Sequence, residues 1–180
     1  AFYDNLATKY ELLFSNWESS SKEQAIIIKR ILDSHGLGNK VKILDCACGI
    51  GTQAIGLAAL GYDVIASDIS ENELKEAKRR CLQKNLKIEF KSADFRNLEA
   101  AFSETFNAVI AMDNALPHML NSTDLEKAAR SISERIKKGG IFIASIRDYD
   151  EILKTKPLYS PPYIHEAENG KRVSFQTWNW

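Results

Sequence analysis

Val41-Lys42-Ile43-Leu44-Asp45-Cys46-Ala47-Cys48-Gly49-Ile50-Gly51-Thr52-Gln53 is the segment from which the architecture of this chain can be predicted. Its first apolar residues are typical of a strand in a parallel sheet, which is buried on both faces. Asp45 ends that strand, at the edge where open α/β sheets bind their ligands. Gly49 and Gly51 lack a Cβ atom, so the backbone can pass close to a ligand. The segment predicts a strand, a glycine turn and the start of a helix around a nucleotide-type ligand.

The glycine turn fits two ligand-binding patterns. Read as Gly49-Ile50-Gly51-Thr52-Gln53-Ala54, it matches G-x-G-x-x-G/A, the dinucleotide fingerprint, in which the helix N-terminus faces a pyrophosphate. Read from Asp45, it gives D-x-A-x-G-x-G, with Ala47 at the third position, and resembles the first motif of the class I S-adenosylmethionine-dependent methyltransferases. A carboxylate here would repel a pyrophosphate but would suit the ammonium of a methionine moiety, directly or through water. The acid favours the second pattern; an ordinary βα turn without a ligand is the third alternative.

Composition narrows the class of protein. The 180 residues suffice for one α/β domain. Lys and Arg together number 24, as do Asp and Glu, so no basic excess points to nucleic acid. The sequence has no apolar run of membrane-span length, and its three cysteines favour reduced thiols in a cytoplasmic protein. We therefore expect a cytoplasmic protein that acts on a small molecule, without nucleic acid or membrane as a partner; the oligomeric state stays open.

Two further acids follow predicted strands. Asp68 comes about twenty residues after the glycine turn, where an acid binds the ribose hydroxyls of an adenosine in Rossmann-type folds. Ile69 beside it is expected on the adenine face. Asp94 ends the third strand, where a carboxylate and a neighbouring backbone N–H, next to Phe95, can pair with the adenine amine and ring nitrogen. With Asp45, these acids predict that three successive strand ends surround one cofactor.

Strands and helices alternate along the chain, which predicts a parallel sheet with right-handed crossovers. We predict an N-terminal helical cap over 1–36, a Rossmann-like core over 37–156 and a substrate-side flap over 157–180, all in one structural domain. Strands are expected at 41–45, 62–67, 87–91, 106–112 and 141–146, and helices at 22–34, 53–60, 70–85 and 124–140. The first helix is expected to be capped within 19–21, and the last to end in the Lys-Lys-Gly-Gly run at 137–140.

The N-terminus is rich in aromatic residues. Tyr10 and Trp17 suit the wall of a cofactor site, because such rings combine an apolar body with a polar tip. The alternative is an amphipathic helix that packs on the domain. The sequence leaves both interpretations open.

Two later segments resemble a narrower family. Asp113-Asn114-Ala115-Leu116-Pro117-His118 is similar to the Gly-Asn-Ser-x-x-His loop of the glycine and sarcosine N-methyltransferases, and Arg147-Asp148-Tyr149-Asp150-Glu151-Ile152-Leu153 is similar to their Arg-Asn-Tyr-Asp-x-Ile-Leu segment. The aromatic N-terminus resembles theirs as well. The resemblance implies an α/β fold of the Rossmann-like class I methyltransferase type, a parallel sheet flanked by helices, and S-adenosyl-L-methionine as the cofactor.

The resemblance also implies roles for residues. Arg147 would bind the carboxylate of an amino-acid substrate, as guanidinium does through paired hydrogen bonds. Asn114 would lie near the substrate amine, with His118 in the same loop and Met112 at the cofactor. The amine would attack the methyl carbon in line with the departing sulfur, and water or a tyrosine would take the proton. Asp113 stands where that family usually has glycine, which favours a cationic or larger amine.

Other interpretations remain open at this point. The chain could methylate oxygen or carboxyl groups, it could bind cofactor without turnover, or it could be an NAD-dependent oxidoreductase. Residues 157–163 are irregular, and 172–180 alternate like an edge strand. Because class I sheets normally add two strands after the fifth, we expect an incomplete sheet and a shortened chain.

Overall fold

Five parallel strands form the central sheet of the computed structural model, which describes residues 14, 16–38, 41–167 and 170–180, with the backbone alone for 165–167. They are β1 (Lys42–Asp45), β2 (Asp63–Asp68), β3 (Glu89–Ser92), β4 (Phe106–Ala111) and β5 (Ile136–Ala144). Their spatial order is β3-β2-β1-β4-β5. Since the order reverses between β1 and β4, their carboxyl ends border the crevice in which such sheets bind ligands. The predicted α/β architecture is confirmed.

Helices cover the sheet. They are α1 (Trp17–Ser34), α2 (Thr52–Ala59), α3 (Glu71–Gln83), α4 (Ser122–Glu134) and the short α5 (Tyr149–Thr155), with 3-10 turns at Leu98–Ala100 and Leu116–His118. Fully buried apolar side chains pack on both faces of β1, with Ile43 in one core cluster and Leu44 in a second one. Burial on both faces explains why β1 reads as a continuous apolar run rather than an alternating one.

Two helix starts show how local sequence sets the boundaries. The Ser70 hydroxyl accepts a hydrogen bond from the backbone nitrogen of Glu73 at 3.3 Å and caps α3. Asn16 caps α1 by accepting from the backbone nitrogen of Ser19 at 3.0 Å. The predicted cap within 19–21 is therefore wrong. Ser21 is buried instead, where its hydroxyl donates to the Thr52 carbonyl at 2.6 Å and ties α1 to α2.

The predicted end of α4 is also wrong. The helix ends at Glu134, and the Lys-Lys-Gly-Gly run at 137–140 belongs to β5. Phe106 pairs with Ile136 and Ala108 with Ile141, so the register shifts across this run. Bases followed by glycines fit a helix C-terminus, but they equally fit a strand irregularity that requires a positive φ, which is 79° at Gly139.

A separate antiparallel hairpin follows the sheet, formed by β6 (Tyr163–Ala167) and β7 (Gly170–Ser174). The backbone nitrogen of Ser160 donates to the Gln176 carbonyl at 2.8 Å, and Tyr159 forms an isolated bridge with Thr177. Within the described part of the chain, no helix is both long and apolar enough to cross a bilayer.

Candidate active site

A cavity of about 300 Å³ opens at the carboxyl ends of the strands. Eight of the residues predicted for the site line it: Ala47, Gly49, Asp68, Ile69, Asp94, Phe95, Met112 and His118. We call it the first cavity. The parallel sheet brings these residues together because equivalent ends of its strands meet at one edge.

Asp68 joins the end of β2 to the glycine turn. Its Oδ2 atom accepts from the backbone nitrogen of Gly49 at 2.8 Å, and Oδ1 accepts from that of Ser70 at 2.9 Å. The residue is buried but lines the first cavity. Each carboxylate oxygen can accept more than one hydrogen bond. Asp68 therefore presents a carboxylate to the cavity, where the hydroxyls of a ribose could donate to it.

Asp45 lies beneath the glycine turn and does not line the cavity. Its carboxyl group is fully buried. Oδ1 accepts a long hydrogen bond of 3.4 Å from the backbone nitrogen of Ala47, whereas Oδ2 has no partner among the described residues. Desolvation raises the pKa of Asp45 to about 8, and the nearby carboxylates of Asp68 and Asp113 add to the shift. An orphaned buried acid would be stabilised by a cation brought nearby, such as the ammonium of a methionine moiety.

The two glycines of the turn serve different purposes. Gly49 has a φ of 51° and lines the cavity, where an added Cβ would have no neighbour closer than 3.7 Å. Gly51 has a φ of 87°, and an added Cβ would lie 2.9 Å from Cδ1 of Ile55. Gly51 therefore permits the close packing of α2, while Gly49 leaves the backbone open to a ligand.

Asp94 is held by an arginine that follows it by two residues. Arg96 approaches one carboxylate oxygen of Asp94 at 2.6 Å and reaches Asp124 at 3.2 Å. Desolvation opposes ionisation of Asp94, but the hydrogen bonds and charge of Arg96 lower its pKa overall. A charged acceptor is therefore fixed at the end of β3, beside Phe95.

Trp17 packs behind the wall of the first cavity. Its indole nitrogen donates to the Thr52 hydroxyl at 2.9 Å, and the Arg80 guanidinium lies 4.4 Å from its ring centroid. Thr52, not Trp17, lines the cavity. The structure thus places Trp17 in the support of the site, and the prediction for Tyr10 lies outside the described residues.

A second cavity of about 510 Å³ adjoins β5 and the hairpin. Asn114 and Arg147, both predicted for the substrate, line it, and Asp113 lines both cavities. Arg147 is exposed, and its guanidinium lies 5.5 Å from the ring centroid of Trp178. A surface ion pair with the neighbouring Asp148 or Asp150 is the alternative role for this arginine, but among the described residues Arg147 makes no ion pair.

Asn114 connects the loop after β4 to the segment after β5. Its Nδ2 donates to the Tyr149 hydroxyl at 2.6 Å, and its Oδ1 accepts from the backbone nitrogen of Arg147 at 3.2 Å. Its own backbone nitrogen donates to the Ser145 carbonyl at 3.0 Å. The side chain therefore positions Arg147, a role that the sequence did not indicate.

Sequence reasoning missed the polar link between the two cavities. The amide of Gln53 donates to Asp113 at 2.7 Å and approaches Gln24 at 2.5 Å. Glu73 and Arg96 also line the first cavity without having been predicted. Asp113 and Asn114 have positive φ values of 51° and 71°. Their Asp-Asn sequence was a usable signal, since these residue types tolerate that conformation best after glycine.

Cys46 and Cys48 also line the first cavity, and both thiols are free and buried. Burial raises the pKa of each thiol well above its ordinary value, with a further contribution from Asp45.

Comparisons with known proteins agree with the fold described above. The model of a family described as "Methyltransferase domain" matches residues 43–140. The chain is 30% identical over 139 residues to the glycine/sarcosine N-methyltransferase of Parasynechococcus marenigrum (strain WH8102), covering 77% of this chain and 48% of that protein. It is 28% identical over 170 residues to the protein of the same name from Aphanothece halophytica, covering 94% of this chain and 63% of that protein.

A solved structure, an S-adenosylmethionine-dependent methyltransferase from Clostridium acetobutylicum ATCC 824, matches with a TM-score of 0.69 at 23% identity. The match covers 93% of this chain and 66% of that one, and it shows the shared fold. The chain spans 48% and 63% of the lengths of the two curated relatives.

Proposed function

The chain belongs to the methyltransferase domain family, and from this premise we propose that it moves a methyl group from S-adenosyl-L-methionine to the amine of a small amino acid such as glycine or sarcosine. The cofactor of this family is S-adenosyl-L-methionine. The observation that carries the proposal is that Asp113 lines both cavities. An amine in the second cavity would therefore lie next to a group held in the first.

The residues of the first cavity suit this cofactor. Asp68 would accept from the ribose hydroxyls, and Asp94 would face the adenine amine. The buried carboxyl of Asp45 would ionise as the ammonium binds near it, because a nearby cation favours the charged form. When bound, the cofactor would supply a methyl group carried on a sulfonium. The amine nitrogen would form a bond to the methyl carbon while the carbon–sulfur bond breaks and leaves its electron pair on sulfur. The protein then has to align the amine and exclude water, which together supply several kcal/mol in such reactions.

The residues of the second cavity suit a substrate with a carboxylate. Arg147 offers a planar donor group free of ion pairs among the described residues, and Trp178 lies beneath it. A carboxylate bound there gains two parallel hydrogen bonds. Asn114 holds the backbone nitrogen of Arg147 and so fixes where this side chain leaves the main chain.

Calorimetric titration tests the proposal in two steps. S-adenosylhomocysteine is titrated first, and glycine and sarcosine are then titrated into the complex, while methylated products are detected by mass spectrometry with S-adenosylmethionine. Binding of both ligands and formation of an N-methyl product are expected. Binding of the nucleoside without any amine binding or product would contradict N-methylation, and product from an alcohol or a carboxylic acid alone would assign another acceptor.

A further inference from the structure

Asp113 occupies an unusual position between the two cavities. It follows β4 with a φ of 51°, and its backbone nitrogen donates to the Ser145 hydroxyl at 2.8 Å. Its carboxylate accepts from the Gln53 amide at 2.7 Å. Gln53 is the second residue of α2, directly after the glycine turn, and it also lines the first cavity. The acid is thus anchored from both sides and faces the place where the two ligands would meet.

Asn114 is less suited to receive the substrate amine than its neighbour. Both ends of its side-chain amide already have partners, Tyr149 and the backbone of Arg147. Among the described residues, the Asp113 carboxylate accepts one neutral hydrogen bond, from Gln53, and it has the capacity for further donors. Desolvation raises the pKa of Asp113, partly offset by that hydrogen bond, which brings its basicity closer to that of an amine.

We propose that Asp113 binds the ammonium group of the substrate and accepts the proton that this group has to lose before methylation. The inference rests on the proposed function and deepens it by naming the residue that selects and prepares the amine. One N–H bond of the ammonium breaks, an O–H bond forms on Asp113, and the electron pair remains on nitrogen as the nucleophile. Because the residue as a whole is exposed, the proton can leave Asp113 to water and reset the carboxylate.

The charges around Asp113 are consistent with this role. Within the described part of the chain, charged and titratable side chains share each cavity wall with Asp113: Asp68, Glu73, Asp94, Arg96 and His118 in the first, and Arg147 and Tyr163 in the second. Asp45 at the end of β1 lies near enough for the Asp113 charge to raise its pKa. Arg147 and Asp113 carry opposite charges in the wall of one cavity. An amino-acid zwitterion matches that pair, since its carboxylate can face Arg147 while its ammonium faces Asp113.

The same arrangement disfavours other acceptors. An alcohol or a carboxylic acid would leave the Asp113 carboxylate without a cationic partner in a partly desolvated place. The site therefore selects amines that arrive protonated, and a second positive charge near the amine would be tolerated rather than rejected.

Three variants test the inference. Asp113→Asn removes the charge, Asp113→Glu keeps it, and Asp113→Gly removes the side chain while suiting the positive φ. Asp150→Asn is the matched control, because it removes the same charge from an exposed residue in the first turn of α5 that lines neither cavity. Binding of S-adenosylhomocysteine by each variant shows that it is folded, and glycine and sarcosine are titrated into each complex.

We expect Asp113→Asn and Asp113→Gly to bind S-adenosylhomocysteine like the wild type but to bind the amino acid at least about tenfold more weakly. Their residual methylation rate should rise with pH until the free amine is the main form of the substrate. The wild type and Asp113→Glu should reach their maximal rate at a lower pH. Equal amino-acid affinity and equal pH profiles in wild type, Asp113→Asn and Asp150→Asn would overturn the Asp113 inference alone. A wild type that binds S-adenosylhomocysteine but methylates no amine would overturn the proposed function and the inference with it.

Discussion

The Asp68 carboxylate accepts a 2.8 Å hydrogen bond from the backbone nitrogen of Gly49, a residue 19 positions earlier in the chain. The bond ties the end of β2 to the turn that follows β1, across the ligand edge of the sheet. The same carboxylate is the candidate acceptor for the ribose. Loop shape and ligand binding therefore depend on one side chain.

Replacing Asp68 should weaken cofactor binding. Hydrogen bonds to charged groups contribute about 1.5–3 kcal/mol each, so we expect Asp68→Ala to bind S-adenosylhomocysteine about 10–100-fold more weakly by calorimetry. Asp63→Asn is the control, since Asp63 begins the same strand at the opposite edge of the sheet and is exposed. Equal affinities in the two variants would argue against a ribose role for Asp68.

Asp45 should make stability depend on pH. Its pKa is raised to about 8 in the folded chain from an ordinary 3.8, so between these values the folded state holds a proton that the unfolded state has lost. Stability from this group is present at low pH and is lost at about 1.4 kcal/mol per pH unit as the pH rises toward 8. Asp45→Asn lacks this loss, so its free energy of unfolding should rise relative to wild type between pH 5 and pH 8, as measured with urea.

The same substitution should stabilise the unliganded protein but weaken its affinity for the ligand. Asp45→Asn cannot ionise when the cofactor ammonium arrives, so it should bind S-adenosylhomocysteine more weakly although the unliganded protein is more stable at alkaline pH. Parallel stability curves for Asp45→Asn and wild type across this pH range would show that Asp45 titrates as an ordinary acid.

Arg147 should determine the affinity for a carboxylate. We expect Arg147→Ala to raise the KM for glycine or sarcosine about 10–100-fold and Arg147→Lys to raise it less, because lysine keeps the charge but loses the paired geometry. The affinity for S-adenosylhomocysteine should not change. Lys154→Ala, on the nearby α5, provides a control for loss of a surface charge.

An amine substrate that lacks a carboxylate distinguishes carboxylate binding by Arg147 from a general loss of structure in the variant. Its turnover should be low in wild type and little affected by Arg147→Ala. A proportional loss with both kinds of amine would assign Arg147 to the structure of the segment instead of to the substrate.

Replacing Gly51 and Gly61 by alanine compares a crowded with an open position and so measures the free-energy cost of overpacking. Their φ values are 87° and 89°, but an added Cβ would lie 2.9 Å from Ile55 at Gly51 and would meet nothing within 4 Å at Gly61. Gly61→Ala should lose about 1–2 kcal/mol of unfolding free energy from backbone strain. Gly51→Ala should lose about 1–3 kcal/mol more from overpacking, as measured by urea unfolding. Equal losses would mean that the Ile55 side chain moves aside without cost.

The strand ends were predictable because their signals are local and repeated. Asp45, Asp68 and Asp94 each follow an apolar run, and parallel strands bring such positions to one edge. The start of β5 was not predictable, since the run at 137–140 combines bases and glycines that suit a helix end as well as a shifted register. That choice depends on pairing with β4, thirty residues away.

Roles within the site were harder to predict than positions. Asn114 was expected near the substrate, and it does line the second cavity, but its partners Tyr149 and Arg147 are about 35 residues distant. Trp17 was expected either in the cofactor wall or in a helix packed on the domain, and it contacts Thr52 and Arg80 behind the wall. Residue type and spacing indicate which residues come to the site. They carry no information on which hydrogen bonds a side chain will already have made.

The buried thiols of the first cavity bear on inhibitor chemistry. An electrophilic compound reacts with a cysteine only when the thiolate attacks it. Burial keeps the thiols of Cys46 and Cys48 protonated at physiological pH. Alkylating reagents should therefore label these two side chains slowly, even though they lie in the cavity wall. A selective inhibitor of this cavity would have to rely on reversible contacts with Asp68, Asp94 and the glycine turn.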